Sequence, residues 1–298
     1  MHIVVLGSGA GGGFPQWNCL CPVCQLAWAG DPRVKPRTQS SLAISSDGEK
    51  WLLLNASPDL RQQIIATRRL HPHGASRQTP IAGVFVTNGD VDHLTGLLTM
   101  REQQKFTLYG SKLTLALTGT SVFGVLNKEL VRSVPVQLET PVDTGLGLSI
   151  TPFAVPGKVP LWLEGAQVEI GTEDESTVGL EITEGTKRFY YIPGCAEVTP
   201  KIQERIRGAD LLFFDGTTFT DDEMVKLGLS HKTAWRMGHV AMSGENGSMS
   251  RLADLGIGRR IYVHINNTNP VLIEDSPERR SVEKAGWDVA YDGMEVTL

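Results

Sequence analysis

Short apolar runs that stop abruptly in polar clusters restrict what this chain can fold into more than any other feature. They recur at residues 51–54, 81–86, 106–109, 148–152, 176–183, 188–192, 211–214 and 260–264. Runs of this length are too short for helices of their own and read as strands, several of them buried on both faces. Helical segments separate some of them. Ser57 is a good N-cap for one over 58–65, and Thr199 followed by Pro200 opens another over 200–206. The alternation predicts an α/β fold. At 298 residues and 41% hydrophobic the chain has ample core, and without a linker, a repeat or a charge run it reads as one domain over 1–298.

The polar clusters after these runs are where chemistry is expected, because a rigid sheet fixes the position of residues just past a strand end. After 81–86 comes Thr87-Asn88-Gly89-Asp90-Val91-Asp92-His93, which sets Asp90, Asp92 and His93 as metal-ligand candidates. Asn55-Ala56-Ser57-Pro58 follows 51–54, Asp215-Gly216-Thr217-Thr218 follows 211–214, and Asn266-Asn267-Thr268-Asn269-Pro270 comes soon after His264. Ser57, Asp215, Asn266, Asn267 and Thr268 are therefore candidates to bind the ligand, with turn formation as their other role. Residues 70–80 read as a loop that leaves His71 and His73 in solvent. Lys232 is assigned to an exposed loop, and Arg33, Lys35 and Arg37 to a solvated surface.

Three of the four cysteines crowd into Cys19-Leu20-Cys21-Pro22-Val23-Cys24. That spacing suits one Zn²⁺ on an N-terminal loop at about 14–30, yet a structural zinc takes four ligands, so a distant residue must close it. Cys195 and the histidines are the candidates, and His239 stands out beside Gly238, where a helix could start. Such a staple would contribute folding free energy. The glycines of Gly7-Ser8-Gly9-Ala10-Gly11-Gly12 match a dinucleotide turn in spacing only. The chain runs on through Pro15 into the cysteines, without the helix whose N-terminus must face a pyrophosphate, so tight backbone excursions or a pocket wall are expected instead.

A net charge of -5 and a pI near 5.8 argue against a nucleic-acid or anionic-membrane surface, leaving a small or peptide-sized ligand. Met1-His2 leads directly into Ile3-Val4-Val5-Leu6, and no apolar run nears the roughly 18 residues of a membrane span, so a cytoplasmic location is expected.

The Gly-rich opening with its cysteines, the stretch from Thr87 to Gly96, Val263-His264 and the closing Tyr291-Asp292-Gly293-Met294-Glu295 resemble the metallo-β-lactamase superfamily along the whole chain. Within it they are most similar to the branch that acts in biosynthesis of pyrroloquinoline quinone (PQQ). The resemblance implies an αββα sandwich, two packed β-sheets flanked by helices, with the active site at the sheet edge. A similar zinc site in a related bacterial phosphodiesterase implies His239 as the fourth ligand beside Cys19, Cys21 and Cys24.

Departures from the superfamily pattern carry more information. Its His-x-His-x-Asp-His positions hold Asn88, Asp90, Asp92 and His93 here, its later histidine falls near Pro156-Gly157, and its bridging aspartate falls near Gly194. His264 keeps the final histidine position. Two-metal hydrolysis is thereby disfavoured. Two imidazoles with a carboxylate form the facial set of non-haem Fe(II) centres, so His93, His264 and one of Asp90 and Asp92 are expected to hold a catalytic Fe²⁺. The branch's role then implies dioxygen-dependent hydroxylation of the tyrosine-derived ring in a peptide-derived Glu-Tyr precursor. The alternative is a non-catalytic carrier for PQQ or a precursor that assists its transport, and either protein could be a homodimer.

Overall fold

The chain forms the strands β1 (His2–Gly7), β2 (Ser41–Ser45), β3 (Trp51–Leu54), β4 (Ile81–Phe85), β5 (Phe106–Gly110), β6 (Val131–Pro135), β7 (Val142–Asp143), β8 (Ser149–Ala154), β9 (Val178–Glu184), β10 (Lys187–Ile192), β11 (Leu211–Asp215), β12 (Arg259–Val263), β13 (Asp288–Val289) and β14 (Glu295–Thr297), and the eight apolar runs fall in β3, β4, β5, β8, β9, β10, β11 and β12. The computed structural model describes residues 1–119, 121–165 and 168–298. Among them, one sheet runs β14-β1-β2-β3-β4-β5-β6 and the other β13-β12-β11-β10-β9-β8-β7. Pairing is parallel from β3 to β6 and from β10 to β13, and antiparallel elsewhere.

Period-two alternation decides the layers. Ile3, Val5, Leu54 and Phe85 of one sheet meet Leu180, Tyr191, Phe213 and Val263 of the other in the central core. Their neighbours Val4, Leu53 and Val84 face the opposite way, onto α2 (Leu60–Ala66, which follows α1 at Pro22–Trp28), while Leu212, Phe214 and Tyr262 pack with residues of α5 (Pro200–Ile206) and α9 (Pro277–Lys284). α3 (Val91–Leu94), α4 (Lys112–Thr118), α6 (Glu223–Lys226), α7 (Ala234–Met237) and α8 (Ser248–Arg251) complete the α-helices among the described residues. This is the expected αββα sandwich, and each fully buried Leu or Phe contributes about 1.5–3 kcal/mol. No helix among the described residues is long and apolar enough to cross a membrane.

Local expectations fared unevenly. Thr199 caps α5 as read, its hydroxyl accepting from the Ile202 amide, and residues 71–80 are loop. The other helix begins later than expected: Ser57 instead accepts from the Asp59 amide, and Asp59 stands at the N-cap of α2. No helix follows the glycines after β1, Gly12 and Gly13 have φ of 92° and 67°, and the chain reaches α1 only at Pro22. Arg37 is not a surface residue. It is buried and donates to Ser8 Oγ at 3.1 Å and to the Ala290 carbonyl.

Candidate metal centres

Three strand ends bring the reactive residues together. Beyond β4 the chain enters α3, which carries Asp92 and His93, and beyond β12 it places His264 at φ 56°. A histidine in the left-handed region is a strained conformation that the surroundings must hold, at a cost of about 1–3 kcal/mol. β11 ends at Asp215, and Thr217 follows just beyond it. One ligand atom from each of Asp92, His93 and His264 lies within 4.8 Å of the others.

Hydrogen bonds settle where the ring protons sit. The Asp90 amide donates to Asn88 Oδ1 at 3.0 Å, which orients the Asn88 amide, so His93 Nδ1, 2.8 Å from the same oxygen, must be a donor. His93 Nε2 is then a lone pair, buried and without a hydrogen-bond partner among the described residues. Similarly, His264 Nδ1 lies 2.9 Å from Thr217 Oγ1, whose proton goes to Asp215 Oδ1 at 2.7 Å. His264 Nε2 thus presents a lone pair to Asp92 Oδ2 at 3.1 Å, while His93 Nε2 is 3.8 Å from that oxygen. Two acceptors face each other at hydrogen-bond distance with a third beside them, an arrangement that calls for a proton or a cation between them. The donor set therefore fits a metal ion.

Charges around the triad follow the same logic. With a proton in place of a cation between these groups, burial works to raise the Asp92 pKa, but the charge of His93 and a hydrogen bond from protonated His264 outweigh it and hold the carboxyl well below its usual range. Burial pushes His93 down, whereas for His264 burial is overcome by Asp92 and its pKa rises. Asp92 is a carboxylate at neutral pH, as a ligand must be.

Asp215 plays a different part from the one read in the sequence. It is fully buried and both oxygens are occupied: Oδ2 accepts from the Cys195 amide at 2.9 Å and His239 Nδ1 at 2.7 Å, and Oδ1 accepts from the Thr217 amide and hydroxyl. It orients His239 directly and His264 through Thr217, and does not face the cavity. Burial raises its pKa, but His239 more than offsets this and keeps it ionised.

The triad opens into a cavity of about 280 Å³ lined by Ala10, Gly11, Asn88, Asp90, His239 and Asn266, with Lys158, Leu161, Glu164, Lys232 and Met237 toward its rim. Ala10 and Gly11 make the glycine segment a pocket wall, one of its two expected roles. Asp90 borders the cavity but lies outside the triad, and its Oδ1 accepts from the Leu161 amide at 3.1 Å. Asn266 reaches the cavity. Ser57, Asn267 and Thr268 do not: Ser57 closes its own turn, Asn267 turns to the cysteines, and the Thr268 hydroxyl donates to Glu223 Oε1 at 2.6 Å. Lys232, read as loop surface, lines the cavity. Thr217 belonged to the polar cluster read after 211–214, whereas Lys158 and Glu164 carried no sequence signal beyond polarity.

The cysteine cluster forms without His239. Sγ atoms of Cys19, Cys21 and Cys24 lie within 4.8 Å of one another, held by amide bonds of 3.4 Å from Cys21 to Cys19 Sγ and from Cys24 to Cys21 Sγ at the start of α1. His239 instead follows α7, whose end is set by Gly238 at φ 91°, and stacks on His264 at 5.1 Å. The helix stops before His239 where a start was expected. Asn267 stands against the sulfurs in its place, its Nδ2 at 3.1 Å from Cys19 Sγ and 3.3 Å from Cys24 Sγ. Burial, with further contributions from its cysteine neighbours, pushes Cys21 up to about 12, so a thiolate there needs a cation. Cys195 is a buried thiol that bonds to the Glu197 carbonyl and joins neither triad.

Comparison with known proteins gives the family and the fold. Residues 50–265 match the family model described as Beta-lactamase superfamily domain. The chain is 59% identical to Coenzyme PQQ synthesis protein B of Methylorubrum extorquens (strain PA1) across all of both chains, and 50% identical to that of Gluconacetobacter diazotrophicus across all of this chain and 99% of the relative. The crystal structure of Zn²⁺-bound PqqB from Methylobacterium extorquens superposes with a TM-score of 0.98, at 59% identity and full coverage of both. A diphosphatase of the PhnP family, 22% identical, shares the fold over 99% of this chain and 96% of its own, with a TM-score of 0.68.

Proposed function

The chain belongs to the coenzyme PQQ synthesis protein B family, and on that premise we propose that it acts in PQQ biosynthesis as an iron-dependent hydroxylase. Its substrate would be the tyrosine-derived ring of a peptide-derived Glu-Tyr precursor. The observation that carries this reading is the convergence of Asp92 Oδ2, His93 Nε2 and His264 Nε2, two imidazoles and one carboxylate, on a cavity open on the other side. An Fe(II) ion bound there supplies the activation of dioxygen. Of the two oxygen atoms, one enters the ring and the other leaves as water, with two electrons from an added reductant such as ascorbate.

The residues of the chain have separable tasks in this scheme. Asp92, His93 and His264 hold the ion; Asn88 and Thr217 fix the two imidazole tautomers so that both Nε2 lone pairs point at it. His239, its Nδ1 engaged by Asp215, borders the cavity and can exchange a proton there through Nε2. Leu161 and Met237 offer an apolar surface to a ring. At the other cluster, Cys19, Cys21 and Cys24 would hold a structural Zn²⁺, a reading supported by the zinc-bound relative.

The test is metal content on anaerobically prepared protein, wild type beside His264→Ala, followed by Fe²⁺ reconstitution and dioxygen uptake with the Glu-Tyr precursor and ascorbate. One equivalent of zinc in both, with iron and uptake only in wild type, is expected. Zinc without iron binding or turnover in either would overturn the hydroxylase and leave a carrier.

A further inference from the structure

The cavity wall also carries a cluster of cations that holding a metal ion does not explain. Glu164 is its hub: the carboxylate is 2.9 Å from Lys158 Nζ, 3.3 Å from Arg236 Nη2 and 3.5 Å from Lys232 Nζ. One carboxylate faces three cations. Burial acts to raise the Glu164 pKa, but these partners, Lys158 first, hold it at about 2, so the carboxylate stays charged.

This arrangement is poorly explained as a stabilising device. Both Lys158 and Glu164 are nearly buried, with side chains 11% and 10% exposed, and gathering three cations on one carboxylate leaves charge without compensation. Arg236 Nη1 is buried and has no hydrogen-bond partner among the described residues. The positions are nonetheless closely built: the Lys158 stem runs along Gly238, where an added Cβ would come within 3.1 Å of Lys158 Cγ. Lys158, Glu164 and Lys232 all line the cavity that holds the triad, with Leu161 and Met237 as its apolar wall. An anion entering there would meet two ammonium groups already organised by Glu164, beside a surface suited to a ring.

We propose that Lys158 and Lys232, held in place by Glu164 with Arg236 behind it, form the subsite that recognises a carboxylate-bearing aromatic ligand, with two or more carboxylates on or near the ring. The aromatic part rests on the hydroxylation reading; the charge part stands on the cluster alone. Lys232, the more exposed of the two lysines, sets affinity at the rim. Lys158, the deeper one, sets how far the ligand enters toward His264.

Binding of PQQ, a tricarboxylate, and of its uncharged trimethyl ester to Fe²⁺-loaded protein tests this by calorimetry. The variants are Lys232→Met, which keeps the stem without the charge, and Lys232→Arg, which restores the charge. Loss of one charge-assisted contact is expected to weaken PQQ about tenfold in Lys232→Met, with recovery to within about twofold in Lys232→Arg and no change for the ester. Raising the salt concentration should narrow the gap between wild type and Lys232→Met. PQQ bound equally by wild type and Lys232→Met, or no better than the ester, would overturn the subsite. Dioxygen uptake on the same samples separates the two readings. Uptake with the Glu-Tyr precursor at an unchanged KM in Lys232→Met sinks the subsite and leaves the hydroxylase. Lysine-dependent PQQ binding without uptake in wild type upholds the subsite and sinks the hydroxylase.

Discussion

The cysteine cluster and the Asp92–His93–His264 cluster are built in opposite ways around the same loop. The first takes its sulfurs from one six-residue window, knits them with its own amides and sits in an apolar layer with Phe14, Val34, Val271 and Leu272. The second joins residues 172 positions apart, leaves a buried nitrogen without a partner among the described residues and faces a cavity. The loop after β12 serves both: His264 and Asn266 belong to the open cluster, Asn267 to the closed one. A closed, locally assembled site suits a clamp. An open site assembled from separate strand ends keeps free positions, as chemistry on a substrate requires.

The sharpest way to break this comparison is to delete one ligand from each side. His264→Ala removes one of the three ligands, and its stacked neighbour His239 is held by Asp215 through Nδ1, so dioxygen uptake should fall by about 10³-fold or more while zinc stays at one equivalent. Equal loss of zinc and iron would mean that the clusters are one unit. Cys24→Ser should do the reverse: zinc is lost, and urea unfolding should show at least ~3 kcal/mol of lost stability, since a bound structural metal adds directly to folding. A stable, zinc-free Cys24→Ser protein with full activity would show that the clamp is dispensable.

This contrast also explains what could be read before the structure. The strands, the three cysteines and the pairing of Asp92 with His93 are local features, visible as apolar runs and short spacings. The long-range assignments were not visible. His239 could close either cluster on composition alone; where α7 ends, through Gly238 at φ 91°, decides that it meets Asp215. The polar residues after β12 look alike in sequence, yet successive side chains of a turn diverge, so Asn266, Asn267 and Thr268 reach three different surroundings. Strands such as β7 and β13, two residues each, bury too little to leave a pattern.

The shared loop can be probed through Glu223, which accepts the Thr268 hydroxyl at 2.6 Å and the Phe219 amide at 2.8 Å. Burial, only partly offset by these bonds, raises its pKa from 4.5 to about 7. The folded state therefore holds this proton more tightly than the unfolded chain. The stability that the proton confers is complete below pH 4.5 and is lost as pH rises through about 7. Urea unfolding at pH 5 and pH 8 should show this contribution as a loss of roughly 2–3 kcal/mol in wild type. Glu223→Gln, a stand-in for the protonated acid, should lose less between the two pH values by that amount. Parallel pH profiles for the two proteins would remove Glu223 as the anchor of the loop.

Asp215→Asn makes the smallest change and bears on the open cluster alone. The carboxylate accepts four donors, two at each oxygen, whereas an asparagine must turn its NH₂ toward one of those pairs. If the NH₂ faces Thr217, the hydroxyl can no longer donate there and the His264 tautomer loosens. Turned the other way, it opposes the Cys195 amide and His239 Nδ1, and His239 is released. In either case the ligands themselves remain, so the fall in Fe²⁺ affinity should be about 10–100-fold, the usual scale for a residue that orients a ligand. Zinc content should not change, since no cysteine of the closed cluster bonds to Asp215. Titration of zinc-loaded protein with Fe²⁺ measures both quantities at once. An unaltered iron affinity would mean that His264 is held by its strained backbone and not by the Thr217–Asp215 relay.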